Sequence, residues 1–265
     1  MTPTRIALLF SLALAALPSA ASALDGGYPA RAEHLLRRAA VAIQVAVPLP
    51  DGRARVSDCT GTLIARDLIL TAGHCVEAAR GPADVAVVAF GPDGRPVGPL
   101  KVAALALHPA HKRGWWQSAG SPEERQREIA ADLALIRLKA PAPGDAAPVR
   151  LGYAPRTTSA AGSTYIAGAG LGPGSKTFGL RIAPVGNISL LTHGAVIALG
   201  TPEAARACRG DSGAALVRVA DGRAEVWGVA SAILRASGGC SSRIAIALAA
   251  AEDRGMRAMF RAVGR

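Results

Sequence analysis

Ser212 stands in Cys208-Arg209-Gly210-Asp211-Ser212-Gly213, a hydroxyl flanked by glycines beside a cysteine and an aspartate. A serine hydroxyl becomes a useful nucleophile only when a neighbouring base takes its proton. Upstream, Leu70-Thr71-Ala72-Gly73-His74-Cys75 offers an imidazole, and Ala131-Asp132-Leu133-Ala134-Leu135 a carboxylate just before an apolar run. In the chain order His, Asp, Ser these residues would supply base, orienting carboxylate and nucleophile, one of three unrelated orders in which that geometry recurs. Each piece alone is weak. A lone histidine is usually core or surface, an aspartate before a strand is usually a turn residue, and Gly-Asp-Ser is common turn chemistry. The three together, with their flanks, carry the reading.

With those flanks the chain resembles the trypsin/chymotrypsin family of serine proteases. Cys59-Thr60-Gly61-Thr62-Leu63-Ile64 is similar to the family's strand into the histidine turn, and Leu107-His108-Pro109 to its segment before the aspartate strand. Ile166-Ala167-Gly168-Ala169-Gly170 and Val226-Trp227-Gly228-Val229 resemble two later core strands. The likeness runs from about Leu24 to about Ile246. It implies peptide-bond hydrolysis through an acyl-enzyme on Ser212, with His74 as general base and Asp132 fixing the imidazole's tautomer. The backbone N–H groups of Gly210 and Ser212 would form the oxyanion hole, where a side chain at 210 would obstruct the turn. Ala214-Ala215 replaces the family's usual Gly-Pro, a modest rearrangement with no loss of chemistry. His34, His108, His111 and His193 lack such flanks and are expected to be structural or exposed.

The resemblance implies two further roles. Asp211 would pair with the α-amino group that processing releases, ordering the oxyanion hole and pocket. Leu24-Asp25-Gly26-Gly27 is similar to the family's Ile-Val-Gly-Gly start, so a chain cut after Ala23 would be active at once, with Leu24 buried. Asp25 departs from the usual apolar second residue, and an N-terminus cut elsewhere or lying free is the alternative. Arg206, six residues before the nucleophile, takes the family's pocket-base position. It disfavours Lys or Arg at the cleaved residue, since like charges would meet in a low-dielectric pocket. It would either receive an acidic side chain or swing out to solvent. Ile233 or Leu234 would narrow the pocket toward small residues. Ser231 matches the serine that supports the triad aspartate, and its neighbouring backbone would pair with extended substrate.

The elements that must position these groups are short β-rich runs between Gly and Pro turns: 41–47, 61–64, 68–71, 85–90, 102–107 and 133–138, then 164–167, 182–185, 188–191, 195–199, 214–219, 226–230 and 244–247. Such spacing favours a sandwich or barrel. The resemblance implies an all-β protein, two six-stranded antiparallel β-barrels with the active site between them and a C-terminal helix. One protease domain over 24–265 is expected, with a connector at about 141–155. Ser121-Pro122-Glu123-Glu124 predicts a capped helix to about Ala130 in a loop that should overhang the cleft, after Trp115 and Trp116. Apolar spacing predicts the terminal helix over 248–263.

Residues 1–23 read as a secretory signal peptide: Arg5, a predominantly apolar run of twelve at 6–17, Pro18, then Ala21-Ser22-Ala23. Twelve residues fall short of the roughly twenty that span a bilayer, so no membrane anchor is expected in the mature chain. A secreted or periplasmic location follows, and with it disulfides from the four cysteines. Arithmetic allows three pairings; the resemblance selects Cys59–Cys75 and Cys208–Cys240. Loops of this size would stabilise by about 3–4 kcal/mol each. No C-x-x-C spacing points to zinc, and no metal or cofactor is expected. The formal charge of +11 falls to +10 without Arg5; it is scattered and mostly Arg, with ten aromatics in the chain, so no specific nucleic acid is expected. Polypeptide substrates are the expected partners, a proteinaceous inhibitor a further candidate, and the protein is expected to be a monomer. Two other readings stay open: a catalytically silent protease-like binding protein, and a basic exported polymer binder that has only charge in its favour.

Overall fold

The computed structural model describes residues 24–31, 34–114, 120–153, 164–171, 178–199, 205–220, 223–234 and 239–265. The leader expected at 1–23, Trp115 and Trp116, and the last two residues of the expected connector lie outside them. The first half of the chain forms β1 (Ala40–Pro48), β2 (Ala54–Ala65), β3 (Leu68–Thr71), β4 (Val85–Phe90), β5 (Pro96–Leu100), β6 (Val102–Leu107) and β7 (Ala134–Leu138). They make one antiparallel sheet in the order β5-β4-β1-β2-β3-β7-β6. Val, Ile, Leu and Ala dominate these strands, and Val41, Ile43, Ile69, Leu135 and Ile136 are fully buried inside the sheet's curl. β2 extends well past the expected 61–64, because its outer half is an exposed polar ladder against β1 that carries no apolar signal. β5 was not expected at all. With two prolines it reads as a loop, and it is an edge strand, where proline is tolerated.

The second half supplies β8 (Thr164–Leu171), β9 (Phe178–Leu190), β10 (Ala195–Leu199), β11 (Ala215–Ala220), β12 (Arg223–Ile233) and β13 (Arg243–Leu248). Pairing runs β9-β8-β11-β12-β13-β10 and returns to β9, a closed six-stranded antiparallel barrel. The expected strands at 182–185 and 188–191 are one strand, β9. Gly186 is passed as a register shift between Val185 and Asn187, a bulge in place of a turn. The expected two-barrel all-β architecture is therefore the fold, with seven strands instead of the expected six in the first sheet because β5 is added at its edge.

Two of the helices were legible in sequence, one from its cap and one from its apolar spacing. α1 (Gly73–Val76) is a single turn carrying His74. α2 (Pro122–Ala130) starts where Ser121 Oγ accepts from Glu124 N, and it packs Ile129 against Ala245 and Leu234 of the second barrel. α3 (Arg254–Ala262) begins later than expected. Asp253 caps it through Met256 N, while Leu248 still belongs to β13.

Candidate active site

Asp132 is fully buried just before β7 and takes three donors. Its Oδ2 accepts the Ser231 hydroxyl at 2.6 Å and stands 2.7 Å from His74 Nδ1; its Oδ1 accepts the His74 backbone N–H at 2.8 Å. Two bonds from one histidine fix both the ring and the turn that carries it. Burial, the largest single influence, opposes ionisation of Asp132, but the His74 charge and hydrogen bonds and the Ser231 hydroxyl outweigh it. The carboxyl is held below its ordinary range. Burial also disfavours a charged His74, yet the charge and hydrogen bond of Asp132, helped by Glu77, hold the imidazolium above its usual range. Asp132 therefore fixes the orientation of the His74 ring through Nδ1.

His74 and Ser212 line the same cavity, of about 430 Å³. The turn that presents Ser212 is held on all sides. Gly210 and Gly213 have φ of +101° and +83°, a backbone conformation that favours glycine. A Cβ on Gly213 would come within 2.1 Å of Thr71 Oγ1 and 2.2 Å of the Thr60 carbonyl, so the turn can pass only as glycine. Thr60 N donates to the Ser212 carbonyl at 2.8 Å, and Thr60 Oγ1 donates to the Gly210 carbonyl at 2.8 Å while accepting Ala169 N–H at 2.9 Å. Asp211 N donates to the Cys208 carbonyl. The N–H groups of Gly210 and Ser212 have no hydrogen-bond partner among the described residues. Two such backbone donors on a clamped turn beside a hydroxyl are an arrangement that can receive a negatively charged oxygen.

Asp211 turns the other way. Its buried Oδ2 accepts Leu24 N at 2.8 Å and Cys208 N at 2.7 Å, while Oδ1 has no partner among the described residues. Burial pushes its carboxyl up to about 7, against the two N–H bonds from Cys208 and Leu24. Gly168 makes the room: a Cβ there would meet Asp211 Oδ1 at 1.9 Å. Leu24 is fully buried, with φ of +40°.

Arg206 lies next to the cavity in sequence but does not line it. Its backbone bridges Asp25 and its guanidinium pairs with the Asp25 carboxylate on the surface. Of the two outcomes open from sequence, the side chain takes the outward one, because Asp25 gives it a partner. Ile233 lines the cavity, and directly across the β12–β13 register stands Ile244, which lines it too. Leu234 instead packs on α2. The disulfides are Cys59–Cys75, tying α1 to β2, and Cys208–Cys240, bracing the cavity wall. Cys59, Cys75 and His74 converge closely enough to suggest a metal site, but both sulfurs are spent in the disulfide and offer no thiolate.

Thr60, Gly168, Ile244 and His111 gave no functional signal in sequence. Gly168 alone could have been found, since a glycine inside a strand marks a close approach. His34 caps the turn at Leu35–Arg38, and His108 reaches Asp253 at the start of α3, structural roles as expected. No helix among the described residues is long and apolar enough to cross a membrane. The family model described as Trypsin matches residues 34–253. No curated protein matches the sequence significantly.

Proposed function

Because the chain belongs to the trypsin family of serine proteases, we propose that it is an active endopeptidase that cuts polypeptides through an acyl-enzyme on Ser212. The observation that carries this is the Asp132 carboxylate, which holds His74 Nδ1 and Ser231 Oγ while His74 and Ser212 open on one cavity. Ser212 Oγ attacks the scissile carbonyl as its proton passes to His74 Nε2. The carbonyl oxygen takes the negative charge between the N–H groups of Gly210 and Ser212. Collapse expels the amine, which leaves with the proton from His74. Water then enters, gives a proton to His74, and releases the acid and the Ser212 hydroxyl. Asp132 stays ionised throughout, in keeping with its depressed carboxyl.

The substrate preference we propose is for small apolar residues at the cleaved position. Ile233 and Ile244 stand side by side in the β12–β13 register and both line the pocket, and Arg206 offers no charge inside it. Activation follows from Asp211. A buried carboxylate with an unpartnered oxygen calls for a cation, and export with cleavage after Ala23 would supply one as the Leu24 α-ammonium. The enzyme is thus proposed as a secreted or periplasmic monomer, born active and open to a proteinaceous inhibitor in its cleft.

A fluorophosphonate probe and a peptide library test the reading together. The probe is expected to label Ser212 once, and Ser212→Ala to abolish labelling and lower cleavage by about 10⁴–10⁶. Cutting after Ala or Val is expected to dominate. An unlabelled Ser212 in folded, processed protein would mean a silent homologue.

A further inference from the structure

His111 is buried behind the triad, with its side chain only 1 % exposed. Its Nε2 lies 2.9 Å from Glu77 Oε2, and the same carboxylate receives the Gly114 N–H. Its Nδ1 lies 3.6 Å from Asp132 Oδ1 and has no hydrogen-bond partner among the described residues. Gly73 opens the gap between them: a Cβ there would fall 2.6 Å from His111 Nδ1 and 3.1 Å from Asp132 Oδ1. The imidazole is therefore set between two carboxylates, one on each ring nitrogen.

Carboxylate oxygens only accept. A ring with one proton serves one of them and turns a lone pair on the other, leaving a buried polar contact unsatisfied or repulsive. A ring with two protons donates to Glu77 and turns an N–H in place of a lone pair toward Asp132 Oδ1, 3.6 Å away and beyond hydrogen-bond reach, so that its charge compensates two carboxylates that are themselves buried. We infer that His111 is a second histidine on the triad carboxylate, carrying a proton on each nitrogen and holding Asp132 as the anion while His74 works. It is a positioning residue, since it reaches substrate only through Asp132. The other charged groups nearby are His74, on the far side of Asp132, and Lys112, whose ammonium is committed to Glu124 and Glu128 of α2.

The cation has a direction of effect. Positive charge beside Asp132 opposes protonation of His74, so it lowers the pH at which His74 becomes the free base. Removing it lets His74 keep its proton to higher pH. This consequence rests on the proposed protease activity; the state of the ring does not.

Two measurements separate them. Nitrogen NMR of histidine-labelled Ser212→Ala protein at neutral pH is expected to show both His111 nitrogens protonated, the signal being assigned by its loss in His111→Gln. The acid limb of kcat/KM is expected to move up by about one pH unit in His111→Gln and His111→Phe, the scale on which a neighbouring charge moves a titration. KM should stay in place. The Gln variant keeps a donor toward Glu77, which guards against a folding failure in the Phe variant. An unprotonated ring nitrogen, or an acid limb that stays put while only thermal stability falls, would overturn the inference. Failure of Ser212 to label would sink the protease reading and leave the ring measurement standing.

Discussion

Asp132 and Asp211 are both buried carboxylates, one bonded to His74 and the other next to Ser212, and they are finished to different degrees. Asp132 has its lone pairs met by His74 twice and by Ser231, and it is held below the ordinary carboxylate range. Asp211 has two N–H donors on one oxygen and none on the other, and it is pushed up to about 7. Burial raises both. What separates them is whether the fold itself supplies enough donors and charge. Asp132 is complete with its own barrels, whereas Asp211 still lacks a charge partner among the described residues, one that cleavage before Leu24 would supply. In the proposed enzyme the first carboxylate serves turnover and the second serves commitment to the active state.

The largest effect is expected from breaking the finished site. Asp132→Asn keeps the shape but cannot fix the His74 tautomer, and turnover should fall by about 10⁴ with binding little changed; steady-state kinetics on a peptide substrate measures this. A fall of less than tenfold would mean His74 is oriented by something else. Next is the unfinished site. Gly168→Ala drives a methyl group into Asp211 Oδ1, which must displace either the carboxylate or Leu24. Most activity and probe labelling should be lost together, at a stability cost of about 1–3 kcal/mol, the range of core overpacking.

The smallest and sharpest test is pH. In a chain carrying extra residues before Leu24, Asp211 faces only amides and its folded pKa stands above its unfolded one. A raised carboxyl favours the fold while protonated, so its contribution is full below about 4. It is lost as pH rises toward about 7, the value to which burial pushes the group. Denaturant melts of extended and processed protein should therefore diverge across that window, the extended form weakening as the processed form does not. Parallel curves would show that the Leu24 ammonium is not what Asp211 receives.

The groups proposed for catalysis stood out because their signals are local: a serine turn, a histidine turn and an aspartate before a strand each announce themselves within a few residues. The disulfide pairing and the Leu24–Asp211 contact followed from the family pattern. What escaped depends on register and distance. Ile244 enters the pocket only because β12 and β13 pair as they do. The direction of the Arg206 side chain, expected at the pocket base, is decided by Asp25, far away in sequence. His111 looked ordinary because nothing near it in sequence reveals Asp132 on one side and Glu77 on the other. Gly186 looked like a turn because sequence shows a glycine between two runs and not the partner strand that carries pairing past it.

Thr60 has a consequence beyond its hydrogen bonds. This one side chain from the first barrel grips the loop of the nucleophile and an amide of the second barrel at once. Separation of the barrels would free the Gly210 carbonyl at the same moment, so the peptide groups proposed to receive charge would lose their aim before either barrel melts. In the proposed enzyme a partly open molecule is thereby disarmed, and the protein is armed only as a whole.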